Sequence, residues 1–349
     1  MAEEEIITAA YKVEIDGKQL EPEMRTLVSR IEFIEEINFP SMFRVLFQVT
    51  DIDDMLLKFL KLEFFQIGAE VKLYMGNEKP ELMMVGEITS IEPKFKEDSS
   101  EIEMRGFDRL HKLKLGKNTK TYLDIKDSDL ASEVAGNWGL QVDADATSTV
   151  HPHVFQNNLS DYEFLKERAD RLRYEIKVED KKLLFKKAGE SVSPELTLEY
   201  GADFSVFSAA YNAVYMGDTL EVRGWDYAKK EIIEAKAKAG DEVSKMGAKK
   251  TGTETTKAAF STANALLIDE IPVDESEAEA LALAEYNRNL VQTVMGKVQM
   301  SGTPALRISV TVKISKLGNF NGAYYIHKTL HALDKRGYLT DIHIRRTGL

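Results

Sequence analysis

The chain has no cysteine in 349 residues, which excludes disulfides, thiolate nucleophiles and cysteine-ligated zinc or iron–sulfur centres together. It also lacks any apolar run near the ~20 residues a helix needs to cross a bilayer, so no membrane insertion is expected. A basic leader is missing: Met1-Ala2-Glu3-Glu4-Glu5 is acidic where export signals begin basic, so assembly in the cytosol is expected. Positive charge is in deficit, 46 Lys+Arg against 58 Asp+Glu, and the net charge of −12 argues against a specific grip on nucleic acid. The same charge suits a surface that repels polyanions, and equally serves solubility. What is present is ordinary: 43% hydrophobic residues can bury sizeable cores. At ~150 residues per domain the length suggests two or three units.

The fold class expected is mainly β (α+β): two β-barrel-like domains, an inserted small α+β domain, and a helix-plus-loop insertion. Residues 1–115 form the first β domain. Tyr11, Val13 and Ile15 alternate before an Asp16-Gly17 turn, as do Phe43, Val45, Phe47 and Val49, and then Val71, Leu73 and Met75 before Gly76-Asn77. Ile102 and Met104 belong to a strand ending at Gly106, and the cluster from Ile52 to Leu62 reads as a helix riding on the sheet. Strands this short and this punctuated suggest a barrel or sandwich.

Residues 116–192 read as the α+β domain. Asp127 and Ser128 can cap a helix with Leu130, Val134 and Trp138 on one face and Gly139 as its stop. Ser160-Asp161-Tyr162-Glu163 fits a capping box, with Leu159 and Phe164 placed as a hydrophobic staple and Leu165, Ala169 and Leu172 continuing the stripe. A hairpin follows, Tyr174–Val178 and Leu183–Phe185, turning at Glu179-Asp180. Residues 193–349 form the second β domain, interrupted at about 236–290. Within that interruption 236–263 is poor in bulky apolar residues and reads as a flexible insertion, and Ser276 to Leu290 reads as a helix. Leu306, Ile308, Val310, Val312 and Ile314 alternate strictly, and Ile342–Ile344 is the last strand.

One internal echo stands out. Glu103-Met-Arg105-Gly106-Phe107-Asp108 and Glu221-Val-Arg223-Gly224-Trp225-Asp226 share Glu, Arg, Gly and Asp 118 residues apart. Locally it reads as a strand end needing Gly for close approach and then a capping Asp; more sharply, it reads as two similar β units.

Chemical motifs are sparse. His327 and His331 have helical ligand spacing but fall in a strand, on one face roughly 13 Å apart; with His343 they form a polar strand face rather than a metal site. His151-Pro152-His153 sits in a loop without a third ligand. Asp51-Ile52-Asp53-Asp54 and Asp143-Ala144-Asp145 lack the Gly and Glu of a calcium loop and read as caps and turns. Gly247 to Thr253 resembles a phosphate loop but lacks the Lys after its second Gly and follows no strand. There is no Gly-x-Ser-x-Gly elbow. No residue is nominated as catalytic, cofactor-binding or metal-binding, and no enzyme activity is expected.

Three stretches together resemble the late control protein D family, the baseplate hub of contractile-tailed phages, whose architecture also forms the hub part of VgrG-like spike proteins. They are Arg105–Leu113 with Asp127–Leu140; Val154–Ala169 leading to Leu183-Leu184-Phe185; and Gly302-Thr303-Pro304 through Gly322, His331 and Gly337–Thr340. They stand in the family's order over roughly two thirds of the chain. One departure is Arg173, where the family commonly closes the helix with Gly.

The resemblance implies a homotrimer whose two barrels per chain form a pseudo-hexameric ring, joining a six-fold tail tube to a three-fold spike. Because the sequence stops at Leu349, where fused spikes continue, it also implies a separate spike protein; tape-measure protein or cargo would occupy the lumen. The implied place is a phage tail or injection-particle baseplate, with no cofactor. On the residues, Phe164, Leu165 and Trp225 are core anchors, Arg168 makes a helix-surface ion pair, Asp161 is a first-turn residue favoured by the helix dipole, and Gly106, Gly224 and Gly322 are backbone necessities. Two other readings stand beside it: a tail-associated carbohydrate- or host-binding β module, which requires exposed aromatic clusters on loops, and, less favoured, a peptidoglycan hydrolase, which requires a cleft with two carboxylates of shifted pKa.

Overall fold

The computed structural model describes residues 9–49, 65–95, 100–261, 264–267 and 271–349. The helix expected over Ile52–Leu62, and Asp51-Ile52-Asp53-Asp54, lie outside the described residues.

The first β unit contains β1 (Ala9–Ile15), β2 (Lys18–Gln19), the short helix α1 (Pro22–Leu27), β3 (Val28–Glu36), β4 (Met42–Val49), β5 (Glu70–Asn77), β6 (Glu81–Phe95) and β7 (Ser100–Asp108). Their alternating apolar residues all point one way: Val13, Phe43, Val45, Phe47, Val71, Leu73, Met75, Ile102 and Met104 share one buried core.

The α+β unit follows, with β8 (Asn118–Ile125), α2 (Asp127–Gly136), β9 (Gln141–Ala144), β10 (His151–Leu159), α3 (Asp161–Leu172), β11 (Tyr174–Glu179) and β12 (Lys182–Lys187). The capping box forms as its residue types require: Ser160 Oγ accepts from the Glu163 amide at 3.2 Å, and Glu163 accepts from the Ser160 amide at 2.8 Å. Phe164, Leu165 and Ala169 pack with Leu130, Val134, Ile176 and Phe185 in a separate core, and Leu159 and Trp138 lie against it. The hairpin turns with Asp180 at φ 49°.

The second β unit comprises β13 (Leu196–Glu199), β14 (Phe204–Tyr211), β18 (Val294–Ser301), β19 (Thr311–Ser315), β20 (Gly322–Asp334) and β21 (Gly337–Arg346), around a core that includes Val298, Ile314, Tyr324 and Ile344. The alternation from Leu306 does not yield one long strand. Pro304 opens a turn in which the Leu306 amide donates to Thr303, and Ser309 takes φ 66°, so extension begins only at Thr311. Leu306 and Ile308 are buried all the same, as loop residues.

Between β14 and β18 the chain builds a further α+β unit: β15 (Thr219–Asp226), β16 (Glu231–Lys238), α4 (Gly252–Phe260), β17 (Asn264–Leu267) and α5 (Glu275–Leu290). Leu220, Val222, Ile233 and Ala237 pack against Leu281 and Tyr286 of α5. The described part of the 236–263 stretch, residues 236–261, is therefore not a structureless insertion. Its low bulk misleads because alanine is enough beside a helix, as at Ala237, and because Thr251 and Glu254 form a second capping box that starts α4. Thr253 then bonds Tyr286 hydroxyl to hydroxyl at 2.9 Å, tying α4 to α5.

The two β units are one sheet. Thirteen strands follow the order β14-β18-β21-β20-β3-β4-β7-β6-β5-β1-β2, with β19 and β13 branching from β20. The seam is β20 against β3, seven antiparallel pairs from Lys328↔Glu36 to Asp334↔Arg30. Residues 300 apart in sequence thus complete each other's hydrogen bonding.

Candidate functional site

The histidines separate. A bulge in β20 between Ile326 and Lys328 breaks the alternation. His331 is fully buried, with Nδ1 2.8 Å from the Tyr338 hydroxyl and Nε2 2.9 Å from the Leu306 carbonyl oxygen. His327 instead lies edge-on to His343, ring centres 6.0 Å apart. Burial pushes both His327 and His331 down to about 4. Among the described residues no three His, Asp or Glu side chains are arranged to hold a metal ion. Asp143 and Asp145 both pair with Lys186.

His151, at the start of β10 rather than in a loop, belongs to a buried charge cluster that sequence reasoning missed. Its Nε2 is 3.0 Å from Asp127 Oδ2 and its Nδ1 3.7 Å from Glu277 Oε1 of α5. Arg168 is not on the surface: it reaches inward and donates from Nε to Asp127 Oδ1 at 2.5 Å. The reason lies in the partner, a carboxylate at the first position of α2 that is itself buried. Burial would raise Asp127, but hydrogen bonds from His151 and Arg168 outweigh it and hold the carboxyl below its usual range. That is the wrong direction for the acid of a hydrolase pair. Only spacing and residue type could have hinted at the cluster, and 58 carboxylates give too many partners.

Asp161 does more than face a helix dipole. Its oxygens accept from Asn118 Nδ2, Gln156 Nε2 and Trp138 Nε1 at 2.8–2.9 Å, locking α3 to β8 and β10. Phe164 and Leu165 are core residues, whereas Trp225 is 43% exposed. It lies opposite Ile232 on the face of β15 turned away from α5, beside the outlying Tyr227. Gly106 and Gly224 do mark close approaches: a Cβ would strike the Glu87 carbonyl oxygen at one and the Pro272 ring at the other. Asp108 and Asp226 then each accept a backbone amide two residues on. The two copies of the echo nevertheless sit in different sheets, β7 inside the large one and β15 in the small one. The repeat is a local strand-end device.

The seam between the β units carries its own ion pair, buried on the carboxylate side. Glu35 of β3, with no exposed surface, accepts from Arg307 Nε at 2.5 Å and from Nη2 at 2.6 Å. Burial would raise Glu35, yet the charge and hydrogen bonds of Arg307 keep it below the usual carboxylate range.

This continuous sheet of two β units, each carrying an α+β excursion, is a fold shared with phage tail proteins and with a type VI secretion component. The 43 kDa tail protein of prophage MuSo2 from Shewanella oneidensis superposes with a TM-score of 0.71 at 12% identity, over 97% of this chain and 98% of that one. A tail protein from Neisseria meningitidis MC58 gives 0.68 at 11% identity, over 97% of each chain. The c3393 protein of Escherichia coli, a component of the type VI secretion system, gives 0.60 at 11% identity, over 97% of this chain and 77% of that one. No curated protein matches the sequence. Residues 5–335 match the family described as the Alg8 N-terminal domain, and the chain belongs to that family.

Proposed function

We propose that this chain is a structural baseplate hub of a phage tail or contractile injection particle, in which three copies form a pseudo-hexameric ring joining a six-fold tail tube to a three-fold spike. The observation that carries the reading is the likeness to tail proteins over nearly the whole of both chains. The continuous sheet supports it: two β units locked by seven residue pairs can move only together, as an adaptor presenting two similar faces per chain must. The net charge of −12 suits a lumen through which polyanionic cargo passes without sticking. Its work would be symmetric docking through large interfaces rather than chemistry. Co-expression with the tube and spike proteins of the same particle, followed by negative-stain imaging, tests it. A six-lobed ring that co-purifies with both is expected; a chain recovered alone, without rings, would contradict it.

One observation favours a second reading, a carbohydrate- or host-binding module at the particle's exterior. Trp225 at the end of β15 and Tyr227 in the turn after it are exposed at 43% and 84%, an aromatic pair of the kind that reading needs. Loss of cell or glycan binding on Trp225→Ala, with ring formation intact, would establish it as an added role.

A further inference from the structure

A cavity of about 370 Å³ lies between the first α+β unit and α5 of the second. One wall is Leu172 and Tyr174, where α3 ends and β11 begins. The other is α5, which presents Ala280 and Ala284 to the space, four residues apart and so on one helix face. A leucine at either place would reach across; alanine leaves the gap open.

Asp127, His151 and Glu277 also line the space and are almost wholly buried. Their charges are already answered. Asp127 is held by Arg168 and His151, while Glu277 accepts from Arg171 Nη2 and from the Val273 amide, each at 2.7 Å. Arg173 pairs with Glu190, and the remaining charge, Lys187, sits exposed at the rim, so an ionic ligand would find no uncompensated buried partner here. Thr149 adds a hydroxyl to the wall. Mostly apolar walls, a few placed polar groups and a volume above 300 Å³ are the usual form of a small-molecule site.

We infer that this cavity is a binding site for a neutral small molecule with an apolar body of one or two rings and a hydrogen-bonding end. The inference does not depend on the hub reading. Titration of the full-length protein with N-phenyl-1-naphthylamine, a neutral dye that brightens in apolar surroundings, tests it. Saturable binding at one dye per chain is expected, weakened at least tenfold in Ala284→Leu and in Ala280→Leu, with unfolding midpoints at or above that of the parent. Absence of saturable binding, or equal binding by folded, filled variants, would overturn it. Should the variants fail to fold, methyl NMR of the parent protein decides. Dye-induced shifts at Leu172, Ala280 and Leu283 support the site, and shifts confined elsewhere refute it.

Discussion

At Arg173 the chain accepts a strained backbone to gain a charge. This residue closes α3 in the left-handed region, φ 56° and ψ 39°, where glycine is the natural choice. Its guanidinium pairs with Glu190, a carboxylate almost without exposed surface. Arg345 Nη2 also reaches Glu190, at 3.1 Å, so the carboxylate keeps one partner: Arg173→Gly should gain about 1 kcal/mol from the relaxed backbone and lose about 2 kcal/mol with the charged hydrogen bond, a net loss near 1 kcal/mol. Urea denaturation measures it, and a stabilised variant would mean that the ion pair contributes nothing. Titration adds a second residue-level expectation. The unfolded chain protonates His327 and His331 near 6.5 and the folded chain only near 4, so their contribution is full above 6.5 and falls with pH down to 4. Asp108 opposes them: burial pushes it up to about 7, so its contribution is present at low pH and is lost as pH rises from 3.8 toward 7. Of these three groups, two histidines against one aspartate contribute a fall of about 1.4 kcal/mol per pH unit between 6.5 and 4, to which the lowered His343 adds and from which the raised Glu175 subtracts. Asp108→Asn should roughly double that slope and His331→Gln should flatten it; a slope indifferent to both would contradict the assignment. Trp225 and Arg168 show what single residues conceal. An aromatic in a strand reads as core, and a helical arginine reads as surface, until it is known which face meets the next element.

Among elements, those carrying their own local chemistry were legible. The capping box at Ser160, the 174–185 hairpin and the helix to Leu290 needed only nearby residues, and each formed. Ser160→Ala should cost about 1 kcal/mol, and Thr251→Ala a similar amount at the start of α4. If Thr251→Ala is silent in thermal unfolding while Ser160→Ala is not, α4 contributes little to the folded unit. The elements misread were those in which local pattern and tertiary demand diverge. Leu306 to Ile314 alternate as a strand would, yet Pro304 and the left-handed Ser309 bend the first half into a loop whose apolar residues are still buried. The alanines and threonines of 236–263 look like linker because their packing partners, Tyr286 and Leu281, come later in the sequence.

For the whole molecule, the decisive feature is the β3–β20 seam, which no sequence pattern announces because its partners lie some 300 residues apart. Alternation gave strands but not neighbours. The pair Glu35–Arg307 sits on that seam, and Lys177 of the α+β unit approaches the same carboxylate at 3.8 Å. Glu35→Ala should cost about 2–3 kcal/mol, leaving the half-buried Arg307 unanswered, and should loosen both β units together. Hydrogen exchange that quickened in one unit alone would speak against a single cooperative sheet. The central claim concerns copies of this molecule, and light scattering across a dilution series of the purified protein tests it most directly. The account predicts a concentration-independent mass three times 39.4 kDa for the chain alone or, once the spike protein is added, that mass plus the spike's own; a chain that remains a monomer under both conditions would contradict it.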